Sequence, residues 1–228
     1  MSDPAPPGRV ARTGLLGLGS NVGERREHLQ GAVLALPGAG VEVLGCSSVY
    51  DTDPVGEVLD QPSFLNACVL VRTDLGALEL LAAVKALERE LGRSPGRRHG
   101  PRTIDIDILL LGELELDDGL MTLPHEQLLR RRFVLIPALE LDIGLSTPAG
   151  ERLADALAAL DVSEGVRWAG PPLAPGLPGR AGPPPPPGGP AAQDTPAVPG
   201  DGVAAGDTAA SQSAGSAPGG TSPTSGGR

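Results

Sequence analysis

The chain has 228 residues and a formal net charge of -10; 40% of the residues are hydrophobic and 20% are charged. That length suits one domain with or without a tail, and the acidic balance argues against nucleic-acid binding through a broad basic surface. No apolar run reaches the length of a membrane span, the first residues lack the apolar core of a signal peptide, and two cysteines are too few for a disulfide framework. A cytoplasmic protein with no membrane partner and reduced thiols is expected.

Glycine (33) and proline (25) are unevenly spread, crowding after Gly170 around the run Pro183–Pro187. A segment so poor in large apolar side chains cannot offset its ordering entropy, so residues 169–228 are expected to be a disordered tail. Residues 1–12 are expected to be a disordered lead, which leaves 13–168 as the folded domain.

Within it, Leu15–Gly19 reads as a short apolar strand. Asn21, with Glu24 three residues on, signals a helix start, and Leu29, Val33 and Leu36 line one helical face up to Pro37. Val41–Tyr50 reads as one strand, Asp51–Ser63 as a polar loop and Phe64–Thr73 as a strand. Asp74 starts a second helix with the stripe Leu80, Val84, Leu87 and Leu91, ended by Gly92. Ile104–Leu111 is the next strand. Beyond it come a short hairpin, an irregular stretch over 124–132 and a weak helix near 152–160. The order β-α-β-β-α-β predicts an α+β, ferredoxin-like sandwich with helices on one face of a mainly antiparallel sheet.

Gly17-Leu18-Gly19-Ser20-Asn21-Val22-Gly23 is similar to a dinucleotide fingerprint, but Val22 stands where the third glycine belongs and no Walker lysine follows. A tight strand-to-helix turn fits better, with Ser20 and Asn21 placed to brace a neighbouring loop. In Arg102-Thr103-Ile104-Asp105-Ile106-Asp107-Ile108, alternation puts both aspartates on one strand face and the isoleucines on the other. Paired carboxylates suit a Mg²⁺ ion shared with substrate phosphates, or the solvated face of a half-buried strand. Just upstream, Arg93, Arg97, Arg98 and Arg102 crowd a Gly/Pro-rich loop with His99. Their like charges repel unless a polyphosphate joins them. Together, loop and strand supply both parts of a metal-assisted phosphoryl-transfer site. Further along, His125 precedes Arg130, Arg131 and Arg132. Phe64 and Asn66 share a strand face, where a flat heterocycle can stack on the ring and bond the amide, or where the two simply serve core and loop.

Five segments carry a resemblance to the 6-hydroxymethyl-7,8-dihydropterin pyrophosphokinases of folate synthesis. They are Gly17–Asn21, Ser47–Thr52, Asp60–Pro62 with Phe64–Asn66, Gly100–Asp107, and Pro124-His125 with Arg131–Phe133. The resemblance implies a ferredoxin-like fold, ATP as co-substrate and two Mg²⁺ ions, with pyrophosphate passing from ATP to the pterin's hydroxymethyl group and AMP released. It implies Arg93 and Arg102 as catalytic arginines and Asp105 and Asp107 as metal ligands. The pterin would be held by Thr52, Asp53, Val55, Phe64, Asn66 and Phe133, and ATP by Arg97, Arg98, Ile108, Thr122, His125 and Arg131. A monomer is expected. Departures are His99 where relatives carry tryptophan, a shorter arginine loop, a longer Glu57–Asp60 and Glu126 after the histidine. The rival readings are a non-catalytic module of the same fold and a phosphotransferase acting on another acceptor.

Overall fold

The computed structural model describes residues 10–54, 61–93, 100–162 and 165–173. Val55, Arg97, Arg98, His99, the segment Glu57–Asp60 and the proline run lie outside the described residues.

In chain order the elements are β1 (Arg12–Ser20), α1 (Arg25–Ala35), β2 (Glu42–Cys46), β3 (Val49–Thr52), β4 (Phe64–Thr73), α2 (Ala77–Glu90), β5 (Asp105–Leu111), β6 (Leu116–Asp117), β7 (Thr122–Leu123), α3 (Arg132–Leu141), α4 (Leu153–Ala159) and β8 (Val166–Gly170). The main sheet runs β5-β1-β4-β3-β8, with β2 also on β4. Its pairings are all antiparallel. This is the expected α+β, ferredoxin-like arrangement, extended by β8 at one edge.

The strand expected over 41–50 is broken in two. Ser47 Oγ accepts a hydrogen bond from Cys68 N at 2.8 Å, and Ser48 N donates to Glu140 Oε2 at 2.7 Å. These side chains take over two ladder positions, so β2 and β3 follow one another along β4, against Arg72–Val69 and Asn66–Phe64 respectively.

Both faces of the sheet are covered. The stripes read from the sequence, Leu29 with Val33 on α1 and Leu80, Val84 and Leu87 on α2, meet Leu16, Leu18, Ile104 and Ile106 beneath the sheet. The opposite face is also helical, a correction to the one-sided layout. There α3 and α4 pack Val134, Leu135, Ala138 and Leu153 over Leu15, Cys68 and Leu109. Pro137 sits inside α3, where it withholds a donor; burial of its neighbours carries the helix regardless.

Two helix starts differ from expectation. Helix α1 begins at Arg25 rather than behind Asn21, and α2 begins behind Gly76, whose N–H donates to Glu79 Oε2 at 2.8 Å. Ordered structure also runs past residue 168: that position lies within β8, and Leu173 is buried against the α1/α2 core.

Candidate active site

The sheet register builds the site. Asp105 of β5 pairs with Gly19 of β1, and Gly19 pairs with Asn66 of β4; one row deeper, Asp107, Gly17 and Cys68 align in the same way. Gly17 and Gly19 lie within β1, as the strand read over Leu15–Gly19 places them. Lacking side chains, they leave a trough between the carboxylates of β5 and the Phe64/Asn66 face of β4. A Cβ on Gly19 would come 3.1 Å from Asn66 Oδ1. The trough opens into a cleft of about 610 Å³.

Of the residues named from the sequence, Thr52, Asp53, Phe64, Asn66, Arg93, Arg102, Asp105, Asp107, His125, Arg131 and Phe133 all line this cleft. Two are not brought to it. Ile108 alternates away from the aspartates and is buried in the α1/α2 core, and Thr122 is exposed on the two-stranded β6–β7 sheet, outside the lining. Arg97, Arg98 and Val55 fall outside the described residues.

Asn21, freed from capping, is buried and acts as the brace expected of it. Its Nδ2 donates to Gln61 Oε1 at 3.0 Å and to Pro62 O at 3.3 Å, while its Oδ1 accepts from Arg102 N at 2.8 Å. One amide thus ties the approach to Phe64 to the approach to Asp105. On the β4 side, Asn66 Nδ2 donates to Thr52 Oγ1 at 2.6 Å, which fixes the orientation of the amide.

Charge is organised around Asp105. Arg102 Nη1 lies 2.7 Å from its Oδ2, and Arg93 Nη1 makes a shorter contact with its Oδ1. The Arg102 guanidinium also stands 5.8 Å from the centroid of Phe64. Burial opposes the charge on Arg93, but Asp105 and Glu88 outweigh it and raise its pKa. No ion pair with a described residue holds Asp107. Burial first and then the charge of Asp105 raise its pKa, against Lys85, His125 and Arg102.

Two residues of the site escaped sequence reasoning. Glu88 is 2% exposed. Its Oε1 lies 2.7 Å from Lys85 Nζ, 2.6 Å from Arg93 Nη1 and 2.7 Å from the Ile106 N–H. Lys85, the single lysine, lines the cleft. The available signal was an acid four residues after Val84, on the apolar stripe of α2, where an unpaired carboxylate would be costly.

Beside β5, His125 N donates to Leu109 O at 3.0 Å and its Nδ1 accepts from Gln127 N at 3.1 Å, which leaves Nε2 to carry the proton of the neutral ring. Arg131 Nε donates to Gln127 Oε1 at 3.2 Å. Cys68 offers no thiolate: burial and then Glu140 raise its pKa, and Sγ contacts Val134 O at 3.5 Å.

The arrangement suits an anionic ligand and a hard cation. Arg102 Nε is buried without a partner among the described residues, a donor suited to a phosphate oxygen. No group of three or more His, Cys, Asp or Glu residues able to hold a metal occurs among the described residues. Two carboxylates above a glycine floor therefore fit a cation that takes its other ligands from substrate and water.

Residues 15–143 match the family described as 7,8-dihydro-6-hydroxymethylpterin-pyrophosphokinase (HPPK). The chain is 43% identical over 145 residues to the 2-amino-4-hydroxy-6-hydroxymethyldihydropteridine pyrophosphokinase of Pseudomonas aeruginosa, covering 62% of this chain and 88% of that one. It is 42% identical over 127 residues to the mitochondrial folate synthesis bifunctional protein of Pisum sativum, covering 56% of this chain but only 24% of the plant protein. Among solved structures, Plasmodium falciparum HPPK-DHPS with pterin and p-hydroxybenzoate superposes with a TM-score of 0.51 at 15% identity, over 66% of this chain and 44% of that one, and so shares the fold. With the match running from β1 through α3 and spanning every cleft-lining strand, the chain belongs to the 7,8-dihydro-6-hydroxymethylpterin-pyrophosphokinase family.

Proposed function

We propose that the chain transfers pyrophosphate from ATP to the hydroxymethyl group of 6-hydroxymethyl-7,8-dihydropterin, with AMP as the second product, as a cytoplasmic monomer in folate synthesis. The observation that carries this reading is the trough itself: paired aspartates and two arginines on one side of Gly19, an aromatic ring and an oriented amide on the other. The bond formed joins the pterin oxygen to the β-phosphorus, and the bond broken is the bridge from β-phosphorus to AMP.

Asp105 and Asp107 would hold Mg²⁺, two ions in this reading, which neutralises charge on the phosphates when bound. Arg93 and Arg102, paired with Asp105 here, would exchange that carboxylate for phosphate oxygens and stabilise charge on the transferred group. His125, whose backbone N–H donates to Leu109 O of β5 at 3.0 Å, and Arg131 contact the nucleotide, with Arg97 or Arg98 adding further donors. Phe64 and Phe133 enclose the pterin ring and Asn66 reads its polar edge, with Thr52, Asp53 and Val55 as further pterin contacts in this reading.

The test is AMP release from ATP, Mg²⁺ and hydroxymethyldihydropterin. Arg102→Ala is expected to lower kcat by about 10²–10³ with the circular dichroism spectrum unchanged. A folded, unsubstituted protein that binds both ligands without releasing AMP is instead a binding module. Gly19→Val fills the trough floor, and pterin affinity is expected to fall at least about tenfold, read by fluorescence titration. Undiminished affinity would remove the trough from the pterin site.

A further inference from the structure

Strand β8 lies beyond the residues matched to the family, yet it reaches the cleft's pterin side through Arg167. In the sheet register Arg167 stands opposite Asp51 of β3. Its Nη2 lies 3.0 Å from Asp51 Oδ1 and 2.6 Å from Asp53 Oδ1, and its Nη1 lies 3.2 Å from Asp53 Oδ2. The fork on Asp53 is bidentate, a geometry lysine cannot copy. Hydrogen bonding to Arg167 lowers the pKa of Asp53. Room for the contact is built in: a Cβ at Gly165 would fall 2.3 Å from Asp53 Oδ2.

The other oxygen of Asp51 faces inward. Asp51 Oδ2 lies 3.2 Å from Arg25 Nη1 of α1 and 3.0 Å from Ser63 Oγ, and Arg25 also donates to Ser63 O at 2.8 Å. Ser63 immediately precedes Phe64, and Asp51 immediately precedes Thr52, the acceptor that orients Asn66. One carboxylate therefore joins β8, β3, α1 and Ser63, the residue just before the stacking strand. The Asp53 carboxylate is engaged by Arg167, and the Asp53 N–H donates to Gly165 O at 3.4 Å, so both ends of this residue are tied to the β8 side.

We propose that Arg167 is a positioning residue for the pterin half of the cleft, acting through Asp51 and Asp53, with Arg25 completing the tie to Phe64. The inference rests on the pyrophosphokinase reading. Because Arg167 and Asp53 are both solvent-exposed, the network sets local geometry rather than overall stability.

The experiment uses the full chain with Arg167→Ala and Arg167→Lys, and Arg25→Ala as a second break in the same network. Pterin affinity is measured by fluorescence with Mg²⁺ and a non-hydrolysable ATP analogue, and nucleotide affinity is measured separately by calorimetry. Arg167→Ala is expected to weaken pterin binding about fivefold and leave nucleotide affinity within about twofold, with Arg167→Lys intermediate and Arg25→Ala shifted in the same direction. Unchanged pterin affinity in Arg167→Ala overturns the proposal. A parallel loss for both ligands overturns it too, since that marks general loosening. If the unsubstituted chain fails to bind the pterin at all, the pyrophosphokinase reading fails and takes this proposal with it.

Discussion

Asp107→Asn is expected to lower AMP formation by about 10³-fold or more and, at the same time, to make the ligand-free protein more stable at neutral pH. The two effects share one cause. Burial and the neighbouring Asp105 push the Asp107 pKa up to about 6, so the fold favours its protonated form. A carboxyl whose pKa is raised on folding contributes its stability below the unfolded pKa and loses it as pH rises through the folded one. For Asp107 that window lies between about pH 4 and about pH 6, and at pH 7 the ionised group is a net cost on the order of 3 kcal/mol. Asparagine removes the cost together with the metal-binding charge. Calorimetry of the ligand-free proteins should show the variant melting higher at pH 7 and the difference vanishing near pH 4. Equal melting temperatures at both pH values would refute the strained-carboxylate account, and near-normal turnover would refute the metal role.

The second large effect is expected from Glu88→Ala, a residue about which the cleft is built but which ligands do not reach in this reading. Truncation removes the acceptor shared by Lys85, Arg93 and the Ile106 N–H. Breaking a buried pair by deleting one partner costs about 3 kcal/mol or more, so the urea midpoint should fall well below that of the unsubstituted chain. Arg93 also loses one of the two carboxylates that aim it, and turnover at saturating ligand should drop by about 10². Glu88→Gln keeps an acceptor of the same shape without the charge, and is expected to recover part of the stability but little of the turnover. If Glu88→Ala unfolds at the same urea concentration as the unsubstituted chain, the anchoring role is wrong.

Much of the fold was legible because it rests on local periodicity. The stripes Leu29/Val33 and Leu80/Val84/Leu87 repeat at helical spacing and do bury one face of α1 and α2. The alternation in Ile104–Ile108 separates isoleucines beneath the sheet from aspartates above it. Less legible were α3, which starts in an arginine triplet and contains Pro137, and β8, set among glycine and proline. Both form because of partners far away in the chain: α3 covers Cys68 and Leu109, and β8 pairs with β3. Such non-local burial overrides local propensity.

The same division runs through the site. The identity of the cleft-lining groups is local information: two carboxylates at strand spacing, arginines just before them, a ring and an amide two residues apart. The sequence by itself therefore determined which side chains are available to the candidate site. Only the tertiary structure decided how those groups meet. Sheet order 5-1-4 places Gly19 between Asp105 and Asn66, which makes the strand's glycines the floor of a trough. It decided between capping and bracing for Asn21, drew Glu88 under Arg93, and set Arg167 against Asp51 and Asp53. Each of these contacts joins residues distant in the chain, and their energies depend on register and burial, which no local pattern encodes.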